Sequence, residues 1–298
     1  MRYAGEVAAL GTTVCYAVAA NLFAAAGARL GSAVLNRLRI LTALVFLTVA
    51  LLVTRGVPWP VWATRTQVVW LGLSGLVGFV FGDTNYFRAL VILGPSRAAL
   101  LMSLAPVFTA LLAWPVLGEV PGPKTLLGMA LTVGGIMWVV QARKPEQAPH
   151  VEGSIALGVL SGVLGAVGQA GGMVLSKMAL RTGIDPLSAT VVRVAAGVAG
   201  IWVLTAAQGQ TSRTFAALRD RSGALFMVSG AMFGPFLGVT LTLVSMKFIE
   251  AGVSASITAA YPLVAIAIAT RFHGERLGAR LVLGALVTVA GVVVLFLR

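Results

Sequence analysis

Acidic side chains are scarce in this chain: nine Asp and Glu stand against 22 Lys and Arg, and charges of both signs make up only 10% of 298 residues. Soluble domains carry about a quarter charged residues, so a water-soluble globular domain is excluded. Disorder is excluded too, because a chain that is 58% apolar readily offsets its ordering entropy by burial. Cys15 is the single cysteine; it can form no intramolecular disulfide, its neighbours offer no metal-ligand spacing, and it reads as a small packing residue. The two histidines, His150 and His273, fall in connectors. No zinc-protease helix motif, phosphate-binding loop or nucleophile elbow occurs. Catalysis and ATP-driven pumping therefore lack residues to run on, and neither enzyme activity, cofactor nor metal is expected. Uphill transport would have to draw on a proton or substrate gradient, or on a partner.

What the chain has in abundance is long apolar runs. A membrane helix needs roughly 20 such residues, and the runs mark ten spans at about 5–27, 35–53, 67–90, 96–117, 124–141, 153–179, 187–207, 222–246, 253–271 and 279–297. The net charge of +13 comes from cations set singly or in short groups between these runs, the pattern of the positive-inside rule rather than of a nucleic-acid surface. The loops opposite the termini carry more of them, which by that rule favours outside termini, but the margin is thin and leaves sidedness open. Met1 and Arg2 before an apolar stretch resemble a signal peptide, with Ala24 to Ala28 imitating a cleavage site. The stretch is expected to be a retained first span. Trp59 and Trp62, beside Pro58 and Pro60, read as interfacial anchors.

One hydrophilic connector, Gln141 to His150, divides the chain into equal halves. A slide of 156 residues superposes 74–142 on 230–298 without a gap, and it matches Gly78 with Gly234, Gly82 with Gly238, Pro106 with Pro262, Gly118-Glu119 with Gly274-Glu275, and Gly128, Thr132 and Gly135 with Gly284, Thr288 and Gly291. Arg37 falls on Arg193 at the same offset. This pattern is an internal duplication, with a first five-helix repeat at 1–141, a polar linker at 142–152 and a second repeat at 153–298. An odd number of spans per repeat makes the second enter the bilayer from the opposite side. The expected architecture is an all-α integral membrane protein of ten transmembrane helices in two inverted five-helix repeats, a recurring build of secondary transporters with the substrate site between the repeats.

Several residues inside the spans are candidates for that site. Pro106 and Pro262, near the middle of spans four and nine, are expected to free the carbonyls of Met102 and Thr258, which must then find a partner or face a polar cavity. The alternative is a plain bend. Asp83 is the one carboxylate placed well inside a span, where an ionisable group must face protein or water; it either carries a proton or meets a substrate ammonium, or it pairs with Arg37, Arg39, Arg88 or Arg193 to position helices. Tyr16, Asn21, Asn85, Tyr86, Gln169 and Tyr261 complete the large polar set, and Asp83, Tyr86 and Leu90 share a helix face. Arg88, Arg97, Lys177 and Lys247 lie near enough to span ends to snorkel. Gly78, Gly82, Gly158, Gly162, Gly230, Gly234 and Gly238 are spaced to let helix backbones approach. Glu119 and Glu275 sit at membrane-edge turns, with Lys124 and Arg280 five residues beyond. Local pairing is expected there, and on opposite faces the two turns would act as latches for two gates.

Residues 94–140, with Gly94-Pro95-Ser96-Arg97-Ala98-Ala99-Leu100-Leu101, Pro106, Leu117-Gly118-Glu119, Gly128 and Gly134-Gly135, resemble the EamA repeat of the drug/metabolite transporter superfamily, and Gly252 to Ser256, Pro262, Gly274-Glu275-Arg276-Leu277, Gly284 and Gly291 resemble it again. The resemblance implies an inner-membrane export carrier of small metabolites, monomeric or homodimeric, whose central cavity is lined chiefly by spans 1, 3, 4, 6, 8 and 9. The small multidrug branch depends on a membrane-embedded Glu in its first span. Here that span has only Glu6 at its edge, so neutral or aromatic amino acids are the expected substrates rather than lipophilic cations. The freed carbonyls would receive an ammonium, and Asn21 or Gln169 would donate to a carboxylate. Other metabolites or drugs are the alternative, and a membrane enzyme or lipid-handling protein the rival of another class.

Overall fold

The computed structural model describes residues 3–93, 98, 101–142, 154–273 and 279–297, and every regular element among them is helical. The first half supplies α1 (Ala4–Leu30), α2 (Ser32–Arg55), α3 (Arg65–Gly75), a π-helical turn at Leu76–Gly82, α4 (Asp83–Leu93), α5 (Ala105–Leu117) and α6 (Pro123–Ala142). The second supplies α7 (Ile155–Arg181), α8 (Pro186–Ala207), the short α9 (Thr211–Ala216), α10 (Arg221–Ala231), a second π-helical turn at Met232–Gly238, α11 (Val239–Phe248), α12 (Ala251–Thr258), α13 (Tyr261–His273) and α14 (Ala279–Phe296). Of the polar linker at 142–152, Ala142 ends α6 and the rest lies outside the described residues, as do the motif Gly94 to Arg97 and the second Gly-Glu turn at Gly274-Glu275.

Among the described residues, six stretches are long and apolar enough to cross a membrane: Ala4–Leu30, Ser32–Arg55, Arg65–Leu90, Ile155–Arg181, Pro186–Ala207 and Arg221–Phe248. They are the first three helices of each half. A first-turn N–H needs a partner where water does not reach it, and four of the six long stretches begin on a side-chain cap, α1 and α2 being the two that do not. Thr64 and Gln67 form a capping box on α3, and Ser154, Asp185 and Asp220 accept from the first turns of α7, α8 and α10. The backbone N–H of Gly223 holds the exposed Asp220 carboxyl below the usual carboxylate range.

The halves interlock. Helix α1 packs against α10, the second π-turn, α11 and α13 of the other half, and α7 packs against α3, the first π-turn, α4 and α5. The two π-turns themselves fall 156 positions apart, the offset at which Gly78, Gly82, Gly234 and Gly238 recur. Each glycine pair serves a close approach, as its spacing predicts. A methyl group on Gly168 of α7 would lie 2.6 Å from the Gly82 Cα, and one on Gly172 would lie 3.0 Å from the Gly78 Cα.

The fourth and ninth apolar runs differ from expectation. Pro106 and Pro262 do not kink a continuous helix: each is the second residue of a helix that starts afresh, α5 after a turn at Ser103–Leu104 and α13 after one at Ala259–Ala260. The first helical turn needs no intrahelical N–H donor, so a proline is at ease there. Three-residue bonds close the breaks, Leu104 N to Leu101 O at 3.1 Å and Ala260 N to Ile257 O at 3.2 Å. Met102 and Thr258 lie beside them.

At the edge of the bundle α6 pairs with α14 through equivalent residues. The Thr132 and Thr288 hydroxyls turn back onto the carbonyls of Gly128 and Gly284 in their own helices, at 2.7 and 2.9 Å. That leaves backbone facing backbone: a methyl group on Gly135 would lie 2.6 Å from the Thr288 nitrogen, and one on Gly291 2.5 Å from the Thr132 nitrogen. Gly134, next along α6, is exposed with open space around it. Gly135→Val must force the helices apart, an overpacking penalty of roughly 1–3 kcal/mol. A thermal-shift assay in detergent is expected to show a melting temperature lower by several degrees for Gly135→Val and unchanged for Gly134→Val.

Candidate functional site

The first π-turn sets the centre of the molecule. Widening a helix to π spacing leaves carbonyls open to side-chain donors, and such turns frequently occur at functional sites. The carbonyl of Gly78 receives Gln169 Nε2 at 3.3 Å, and the same amide group donates to Asp83 Oδ1 at 2.6 Å. The other carboxylate oxygen, Oδ2, is ion-paired with Arg39 of α2. Arg39 is held in turn by Asn36 Oδ1 at 2.9 Å and lies 5.6 and 5.8 Å from the ring centres of Phe23 and Phe87. Asp83 is thus buried and engaged on both oxygens, which is the ion-pair alternative given above for this residue.

A second guanidinium stands close by. Arg193 of α8 is 3% exposed, sits 5.0 Å from the Phe79 ring centre, and interacts electrostatically with Asp83 and Tyr16. Arg39 and Arg193 each lie seven residues beyond the first residue of their helix, Ser32 and Pro186, or about 10 Å along it at 1.5 Å per residue. The sequence alone marks them as candidate partners for Asp83 and marks Arg193 as the repeat counterpart of Arg37. The signal that singles them out is their depth, since each interrupts an apolar run rather than ending one. Arg37, by contrast, turns away to Thr214 at 3.1 Å and to Gln210 at the surface helix α9.

Aromatic residues of both halves close the centre. Tyr16 and Tyr261 meet edge to face at 6.2 Å, Tyr16 reaches Thr242 Oγ1 at 3.4 Å, and Tyr86 packs on Phe87 at 5.5 Å. Tyr86 is also an electrostatic neighbour of Tyr261, Asp83 and Arg39. Thr258 Oγ1 is buried with no hydrogen-bond partner. Other candidates are committed elsewhere. The Asn21 amide donates to Ala17 O at 2.9 Å and Ala265 O at 3.3 Å, tying α1 to α13, and Asn85 donates to Phe81 O within its own turn. Pro106 is buried, and Met102 and Pro262 are half-buried beside the helix breaks.

A separate ionic cluster lies at the end of α5. Gly118 adopts a left-handed φ of 67°, which ends the helix and turns Glu119 toward the other half. Glu119 does not pair with Lys124, as local spacing suggested; Lys124 is exposed. Its partners are Lys177 at 2.5 Å and Arg181 at 3.0 Å, both on α7, and the Ala251 N–H at 2.8 Å. Lys177 also donates to Ile249 O, and Arg181 to Leu117 O, each at 2.5 Å. The burial of α7 against α5 brings these residues of the two halves together, a proximity that residue spacing does not encode. The cluster borders a cavity of about 390 Å³ lined by Met246, Lys247, Phe248 and Glu250 as well.

A multi-pass helical membrane protein with a buried polar centre drawn from two repeats is the class these features define. The chain belongs to the EamA-like transporter family, whose family model matches it twice, at residues 3–141 and 156–297. Among solved structures, one crystal structure matches with a TM-score of 0.73 at 19% identity, covering 99% of this chain and 96% of that one, so the two share a fold. Comparison with curated proteins returned no significant match.

The Glu119 cluster is testable by a double-mutant cycle. Glu119→Ala leaves Lys177, which is 8% exposed, without its counter-charge, and breaking a buried pair costs about 3–5 kcal/mol. Thermal melts are expected to fall for Glu119→Ala and for Lys177→Met, and to fall less for the double variant than the two single losses summed. Additive losses would mean that the pair contributes no coupling.

Proposed function

We propose that this chain is an inner-membrane secondary transporter of ten spans in two inverted repeats, exporting neutral or aromatic amino acids by alternating access. The observation that carries the reading is the buried polar and aromatic centre to which both repeats contribute, flanked by equivalent π-turns and equivalent helix breaks. Broken helices at a repeat interface are the usual setting of a carrier's substrate site.

In this reading Tyr16, Tyr86 and Tyr261 give the site aromatic walls for an apolar side chain. Asp83 and Gln169 set its polar end, and Thr258 supplies an open hydroxyl. Met102, Pro106 and Pro262 shape the breaks through which the site is reached, and Asn21 holds α1 against α13 beside it. Glu119 with Lys177 and Arg181 closes one gate, because the cluster joins the two repeats at a helix end. Glu275, the repeat equivalent of Glu119, would serve the other gate. A proton or substrate gradient drives the cycle.

Counterflow of labelled phenylalanine, leucine, methionine and threonine into proteoliposomes, against protein-free vesicles, tests the proposal. Saturable flux is expected, reduced at least about tenfold by Tyr261→Ala and by Gln169→Ala, a loss in proportion to one good contact. Absence of flux for all four from folded protein would remove the amino-acid assignment and move the search to other metabolites.

A further inference from the structure

The central cluster is out of charge balance. Among the described residues it contains two guanidiniums, Arg39 and Arg193, and one carboxylate, Asp83, whose two oxygens are already taken by Arg39 and Gln169. No carboxylate among the described residues pairs with Arg193, and its Nε is fully buried with no hydrogen-bond partner. An arginine stays charged in a protein, and a charge buried without a partner is costly. The fold nonetheless makes room for this one. Methyl groups on Gly78 and Gly172 would lie 2.9 and 3.2 Å from its Nη2, so two glycines leave the space the guanidinium occupies, and Phe79 supports its face.

We infer that Arg193 is the anion-binding residue of the central site, and that the carrier's substrates are recognised through a carboxylate rather than through an ammonium. The inference rests on the transport reading and narrows it to a substrate class. A guest with one negative charge neutralises the excess of the cluster, and a guanidinium offers a carboxylate a planar two-donor fork. A cationic amine would have to displace Arg39 or Gln169 from Asp83 and would leave three cations around one acid. Tyr16, an electrostatic neighbour of both arginines, and Tyr261, in contact with it, place an aromatic surface next to the anion position. The fitting ligand is an apolar or aromatic carboxylate, with an α-amino group tolerated but not required.

The test uses the full-length carrier in detergent and two matched sets: phenylalanine, hydrocinnamate and phenethylamine; leucine, isocaproate and isoamylamine. Thermal shift is read for the wild type, Arg193→Gln and Arg193→Lys. At least one carboxylate-bearing member of a set is expected to raise the wild-type melting temperature and the amines to leave it unchanged. Arg193→Gln should weaken that response at least about tenfold, the value of a charge-assisted bond to a carboxylate, while Arg193→Lys keeps part of it. Without ligand, Arg193→Gln should melt higher than the wild type, since it removes a buried charge that no salt bridge balances.

Stabilisation by the amines, a flat response across both sets, or a lower ligand-free melting temperature for Arg193→Gln would each overturn the inference. The last of these needs no knowledge of the true substrate. Hydrocinnamate binding without amino-acid counterflow would sink the amino-acid assignment alone. Saturable amino-acid counterflow undiminished in Arg193→Gln would sink this inference alone.

Discussion

Backbone-to-backbone contact between the first π-turn and α7 is the constraint from which the centre of this molecule follows. With no side chain on Gly78, Gly82, Gly168 or Gly172, α7 crosses the third span close enough for Gln169 to reach both the π-turn carbonyl and Asp83. That bond, together with Arg39, orients the carboxylate. Helix association in lipid has no hydrophobic driving force and depends on such close packing and on interhelical hydrogen bonds. A bulkier residue at Gly82 or Gly168 would move Gln169 away from the acid and break the ionic centre before touching any ligand.

The same constraint has a different outcome in the second half. Gly234 and Gly238 occupy the equivalent π-turn, yet the helix crossing them is α1, which fills the gap with Phe23, Ala19 and the Tyr16 ring. Asp83 has Val239 as its counterpart at the repeat offset, so the second π-turn is followed by no acid. One duplicated scaffold therefore presents an ionic surface from one side and an aromatic surface from the other. An amphipathic small molecule is complementary to that pairing in a way that a wholly polar or wholly apolar one is not.

Much of this was legible in the residues. The membrane class, the two repeats, the glycine contacts and the burial of Asp83 follow from composition, from the 156-residue offset and from the rarity of an acid inside an apolar run. Pro106 and Pro262 mark the breaks in the sequence but not their form, because spacing shows where a helix is interrupted and not whether it bends or starts afresh. The partners of Glu119 were out of reach for another reason. Lys177 and Arg181 lie far along the chain, at the end of a helix that swaps across to the other half, and only the packing of α7 on α5 brings them near. The depth of Arg193 was visible, but its lack of an acidic partner is a property of the assembled bundle.

The distribution of ion pairs bears on how such a molecule could move. At the α5 end, Glu119 takes two cations and a backbone donor, so every strong group there is satisfied and the contact between halves is held by several bonds at once. At the centre, Asp83 is satisfied but Arg193 is not. The two cations at the clasp thus share a bonded acid, whereas the centre, among the described residues, holds one guanidinium without a salt bridge. If the anion site inferred above is correct, a guest that relieves the centre would gain its binding energy from a charge already buried, without first displacing a partner from Asp83. Opening the clasp, by contrast, exposes Glu119 and Lys177 to solvent that can replace what they lose. In the proposed transport cycle, occupancy of the centre and release of the clasp would then be separable steps with opposite electrostatic requirements, as alternating access by a single chain demands.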